Sequence, residues 1–154
     1  MNIAAAHLAA LKALGYTETE ARFLYIVATH SGYFVARQFL AFTDAHWGKR
    51  TTLFWNKLQT KRHARTECFP KSGTVYHLFS RRLYRQIDRE NIRNRREHEI
   101  EHIQRRIGML DFVLLNQRHQ YPLFLQSIKR SESVPALEDL PRTDNFPADR
   151  PLLR

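Results

Sequence analysis

The chain has 154 residues, 43 % of them hydrophobic and 26 % charged, with a formal net charge of +10. That length suits one compact domain with an extension and excludes a second enzyme-sized domain, while the charge points to a polyanionic partner, nucleic acid before an anionic membrane surface. Cys68 is the single cysteine, which excludes an internal disulfide framework and a four-cysteine zinc site, and no run of about 18 apolar residues offers a membrane span.

The opening Met-Asn-Ile-Ala-Ala-Ala-His7 lacks the basic start and long apolar run of a secretory signal, so a cytoplasmic location is expected. Residues 2–14 read as an Ala-rich amphipathic helix carrying Ile3, Leu8, Leu11 and Leu14, closed by Gly15. Thr17-Glu-Thr-Glu20 is a capping box: the Thr17 hydroxyl can accept from the amide at the third helical position, and Glu20 can reach back to the Thr17 amide. The helix it starts carries Phe23, Leu24, Ile26, Val27 and Ala28 around more than one face, as a central helix must, and Gly32 ends it. An extended Tyr33-Phe34-Val35 leads into a short helix over 36–42, and Thr43-Asp-Ala-His46 supplies turn chemistry.

The stretch from Trp47 to Arg65 is the centre of the chain. Thr51, Phe54 and Leu58 recur at helical spacing on one side, while Lys49, Arg50, Thr52, Asn56, Lys57 and Thr60 lie mostly elsewhere on the circumference. Six Lys or Arg and no acid occupy it, so an approaching phosphate meets no like charge. It reads as a recognition helix for DNA, preceded by a short helix that would brace it. Ala64 to Phe69 alternates, Pro70-Lys-Ser-Gly73 is turn chemistry and Thr74 to Phe79 is β-branched and aromatic, which predicts a two-stranded hairpin with Lys71 at its tip. From Trp47 to Arg82 there are nine Lys or Arg and one acid, Glu67.

Ser80 is a candidate N-cap for residues 81–87, and residues 89–116 read as one long helix or two nearly continuous ones. Along it Ile92, Arg96, Ile100, Ile103, Ile107, Leu110 and Leu114 form a coiled-coil-like seam. Such a seam needs a partner: a second subunit, giving a homodimer through residues 89–117, or the domain's own flank. Tyr121 to Ile128 is expected as a short packed segment, and residues 131–154, with four prolines among scattered acids, as disordered tail.

The order of elements, with Thr17-Glu-Thr-Glu-Ala-Arg-Phe-Leu-Tyr25, Gln38-Phe-Leu40, Lys49-Arg-Thr-Thr-Leu-Phe-Trp-Asn-Lys-Leu58 and Thr74-Val-Tyr-His-Leu-Phe-Ser80, resembles bacterial winged helix-turn-helix proteins, most closely the replication-relaxation type of plasmids and other mobile elements. The resemblance covers about residues 16–88. It implies a winged domain over 16–88, which with the elements read from the residues gives a mainly α fold with a small β-hairpin (α+β): 1–15 as an N-terminal helix, 89–117 as a long helix and 118–154 as the segment and tail. Where such proteins often carry a glycine after the recognition helix, this chain has Arg62-His63, so a looser helix exit is expected. The expected function is sequence-specific binding of double-stranded DNA without cofactor or bound metal, in control of transcription, plasmid maintenance or replication. Lys49, Arg50, Thr52, Asn56 and Lys57 would enter the major groove, and Lys61, Arg65 and Lys71 would hold phosphates.

His98-Glu-Ile-Glu-His102 competes with this reading, because H-E-x-x-H on a helix sets two imidazoles on one face to hold zinc while Glu99 activates water. A zinc peptidase also needs a third ligand and an apolar setting, whereas the flanks here are Arg95, Arg96, Arg105 and Arg106, so paired His and Glu on a solvated helix is the favoured reading. Trp47 and Trp55 could stack on unpaired bases in an RNA or single-strand binder, with core or rim packing favoured instead. An interaction adaptor that kept the fold without touching DNA is the remaining class.

Overall fold

The computed structural model describes residues 2–70 and 73–119. Within them a mainly helical α+β unit runs α1 (Ala5–Ala13), α2 (Glu18–His30), β1 (Tyr33–Val35), α3 (Ala36–Thr43), α4 (Lys49–Thr60), β2 (Ala64–Phe69), β3 (Gly73–Leu78), α5 (Arg81–Arg85), a 3-10 turn (Arg93–Arg95) and α6 (Ile100–His119). Lys71, the expected packed segment at 121–128 and the tail beyond it lie outside the described residues.

The Thr17 capping box forms as the sequence requires: the Thr17 amide donates to Glu20 Oε2 at 2.8 Å and the Glu20 amide to Thr17 Oγ1 at 3.3 Å. That start sets α2 through the centre of the core, where the Phe23 ring meets Phe34 at 5.2 Å and Phe39 at 5.1 Å, both edge-on. α4 closes the same core with Phe54 stacked on Phe39 at 4.1 Å and Trp55 on Tyr76 at 4.6 Å. Thr51, Phe54, Trp55 and Leu58 are buried, so the apolar stripe expected of this helix is the one that packs.

The sheet has three strands in the order β1-β3-β2, all antiparallel. The hairpin was legible; the pairing of Tyr33–Val35 with β3 was not, because three residues are too few to show an alternation. β3 is therefore central, and Val75, Tyr76, His77 and Leu78 are buried on both faces. Pro70 follows β2, an edge strand, where a missing amide breaks no ladder.

The continuous helix expected over 89–116 is not what forms. Asp88 takes a left-handed φ of 57° and the Arg89 amide bonds back to the Tyr84 carbonyl, which ends α5, and α6 begins only at Ile100. The intervening turn has its own task. Asn94 Nδ2 donates to the carbonyls of Ala28 and Thr29, and Arg106 donates to the Ser31 carbonyl and to Asn94 Oδ1, so the open carbonyl end of α2 is satisfied from the 3-10 turn and α6. Of the expected seam, Ile103, Ile107, Leu110 and Leu114 are buried against the chain's own Tyr33, Val75 and main core. The domain's own flank covers them, and Arg96 lies ahead of the helix.

Candidate nucleic-acid interface

α4 begins where Gly48, in extended backbone, gives its amide to Thr51 Oγ1 at 2.9 Å, while the Thr51 hydroxyl donates to the Gly48 carbonyl at 2.7 Å. With Thr51 turned inward to do this, the opposite face carries Lys49, Thr52, Leu53, Asn56, Gln59 and Thr60, all exposed and related by three- and four-residue steps. Lys49, Thr52 and Asn56 thus share one outward face, as the sequence predicted. Leu53, 49 % exposed, belongs to the same face. It was missed because an apolar residue in a helical register reads first as core. Trp47 stands just ahead of the helix at 62 % exposure, whereas Trp55 is buried, so only one of the two indoles is available to a ligand.

The remaining sequence-predicted residues divide into free and engaged cations. Arg50 lines a groove of about 300 Å³ with Thr17, Thr19 and Glu20 of the α2 start. Lys61 is exposed and its ammonium lies beside Gly15. Lys49, Arg50, Lys61 and the unpredicted Arg62 have no ion-pair partner among the described residues. Lys57 is engaged: its ammonium sits 2.8 Å from Glu20 Oε2, with Glu20 buried between α2 and α4. Arg65 is engaged too, 2.6 Å from Glu97 and over the Phe79 ring at 4.8 Å. Spacing alone could not reveal either pair, since the partners are 37 and 32 residues away.

The exit from α4 is tight rather than loose. Arg62 itself adopts the left-handed conformation, φ 53°, with its amide on the Gln59 carbonyl and the His63 amide on the Leu58 carbonyl at 2.9 Å. That pair of bonds is a Schellman motif with arginine where glycine is usual. His63 is consequently buried and its Nδ1 shares a hydrogen bond of 2.6 Å with the Tyr16 hydroxyl, and burial, with Lys61 and Arg82 nearby, pushes its imidazole down to about 4.

The histidines of His98-Glu-Ile-Glu-His102 do not share one helical face, because His98 precedes α6. Its Nε2 accepts from Arg106 at 3.1 Å, its amide donates to the Tyr33 hydroxyl at 3.0 Å, and the two imidazole centroids stand 6.3 Å apart. A metal at His98 Nε2 would meet a guanidinium. No group of three or more His, Cys, Asp or Glu side chains converges among the described residues.

No helix among the described residues is long and apolar enough to cross a membrane. Comparison with known proteins returns no family model, no curated protein and no solved structure that matches this chain.

Proposed function

We propose that the chain is a winged helix-turn-helix protein that binds double-stranded DNA, with α4 in the major groove, α3 bracing it and the β2–β3 hairpin along the backbone. The observation that carries the reading is the outward face of α4, where Lys49, Thr52, Leu53 and Asn56 stand exposed and free of acids while the other face closes the core. Asn56 suits the paired donor and acceptor of adenine, Lys49 the acceptors of guanine, and Leu53 a thymine methyl. Arg50, Lys61 and Arg62, with Lys71 between β2 and β3 in the sequence, supply phosphate contacts around that centre. Lys57 serves the α2–α4 contact, and Arg65 reaches a phosphate only by leaving Glu97. The role is regulatory rather than catalytic, in transcription or in the replication of a mobile element.

A second copy joins through α6. Phe112 and Leu115 are 66 and 53 % exposed along one stripe of this helix, and a side chain at Gly108 would meet nothing within 4 Å. An apolar stripe with an open position one turn ahead of it suits a crossing helix whose Phe112 fills the space over Gly108. This replaces the buried isoleucine seam as the dimer contact.

Selection from random duplexes, followed by gel shift, tests the reading. Enrichment of a defined site whose preference relaxes at one base pair in Asn56→Ala supports it. Equal retention of every sequence by both proteins excludes Asn56 as a reader.

A further inference from the structure

At the far end of α2 from Lys57, a shallow cleft of about 350 Å³ opens between His30 at the end of α2, Asn94 of the 3-10 turn, and His102, Arg105, Arg106 and Met109 of α6. Glu20 and His30 are ten residues apart on one helix, so roughly 15 Å of helix axis separates the cleft from the Lys57 contact. No carboxylate lines it. Glu101, one residue before His102, is exposed and forms no ion pair among the described residues.

The charge in this cleft is unbalanced. The half-buried Arg106 guanidinium is held by the Ser31 carbonyl at 2.9 Å, by Asn94 Oδ1 and by His98 Nε2 at 3.1 Å, all neutral partners. Arg105 beside it has no partner among the described residues. The ring atom His30 Nε2 is buried without a hydrogen bond. Burial, with Arg89 nearby, lowers the His30 imidazole, so near neutral pH it is uncharged and able to donate or accept. The guanidiniums of Arg106 and Arg105 and the imidazoles of His30 and His102 line one cleft from two helices, a donor set that suits a tetrahedral oxyanion better than a planar carboxylate.

We propose that this cleft is a binding site for a phosphate group, carried by a small molecule whose apolar portion rests on Met109. It stands apart from the α4 face and does not depend on how that face is read. Isothermal titration of the full chain at fixed ionic strength, with inorganic phosphate, with phenyl phosphate and with acetate, tests it. Phosphate and phenyl phosphate should bind with phenyl phosphate tighter, and acetate at least tenfold more weakly than either. Arg105→Gln should weaken phosphate about tenfold or more, the loss of a charge-assisted hydrogen bond. His102→Gln should weaken it severalfold, and Lys49→Gln on α4 should leave it unchanged. Both cleft residues are exposed, so neither variant threatens the fold. Failure of both phosphates to bind, or equal weakening by Arg105→Gln and Lys49→Gln, overturns the proposal. Loss of duplex binding in Arg105→Gln with phosphate affinity intact would assign the patch to DNA instead.

Discussion

Arg62 occupies a left-handed position, φ 53°, that a side chain with a Cβ enters at a cost of about 1–2 kcal/mol. Arg62→Gly should therefore raise stability by about 0.5–1 kcal/mol in a denaturant titration, the relief of strain being partly offset by a more flexible unfolded chain. The same variant should weaken duplex binding, because the exposed guanidinium leaves with it. Lys57 gives the opposite signature. Truncation to Ala leaves Glu20 buried without its cation, a loss of about 1–3 kcal/mol in stability, with a smaller effect on the DNA salt dependence than Lys49→Ala. His77 is fully buried and stacks on Tyr33 at 4.2 Å. Burial, with Arg65 nearby, pushes it down to about 4, as for His63. Both groups bind protons more tightly in the unfolded chain than in the folded one. The stability they permit is thus intact above about pH 6.5 and is lost as pH falls toward 4, by up to about 1.4 kcal/mol per pH unit for each proton taken up. His77→Phe should flatten that acid slope by one proton and stabilise the protein near pH 5, measured by thermal unfolding across pH; an unchanged slope would show that His77 stays neutral when unfolding occurs.

Among the elements, the end of α2 shows what pattern reading can and cannot reach. Gly32 has φ +79° and a Cβ there would lie 2.0 Å from the Asn94 carbonyl oxygen, so Gly32→Ala should cost more than 3 kcal/mol and displace the 3-10 turn together with the start of α6. A fall in unfolding midpoint no larger than that of a surface Ala substitution would refute that close approach. Gly32 as a helix end was legible from α2's own residues, as were the Thr17 capping box and the Ser80 cap, whose Oγ accepts from the Leu83 amide. These are local devices set within three or four residues. What caps the end of α2 was not legible, since Asn94 and Arg106 arrive from 65 to 75 residues away and a lone Asn among arginines carries no periodicity. The long helix was over-read for the related reason that Ile92 and Arg96 keep the apolar-charged rhythm across a segment whose backbone is turned aside by Asp88 and Asn94. For the candidate site, the outward position of Lys49, Thr52 and Asn56 followed from the stripe of Thr51, Phe54 and Leu58. The engagement of Lys57 and Arg65 did not, because an ion pair between distant segments leaves no trace in spacing.

Taken whole, the molecule sets two basic features on one small scaffold: the face of α4 and the cleft between α2 and α6. The aromatic core that joins α2, α3, α4 and β3 gives α4 a fixed platform, which is what a groove reader needs, since an element that must be ordered on binding loses affinity to that ordering. If α6 joins two copies, Phe112→Asp should convert the protein to a monomer on a sizing column and weaken binding to a two-half-site duplex far more than to a single half-site. Equal elution of the variant and the parent would remove α6 as the contact. The most direct test of duplex recognition by α4 is an anisotropy titration of one labelled duplex, and of the same sequence unpaired, over a series of salt concentrations with the parent protein and the Lys49→Ala/Asn56→Ala double variant. Four to six neutralised phosphates give a log–log slope of about −4 to −5 for the parent on duplex, weaker binding to the single strand, and a smaller slope with lost affinity in the variant. Parent and variant binding the duplex alike, or duplex binding indifferent to salt, would contradict it.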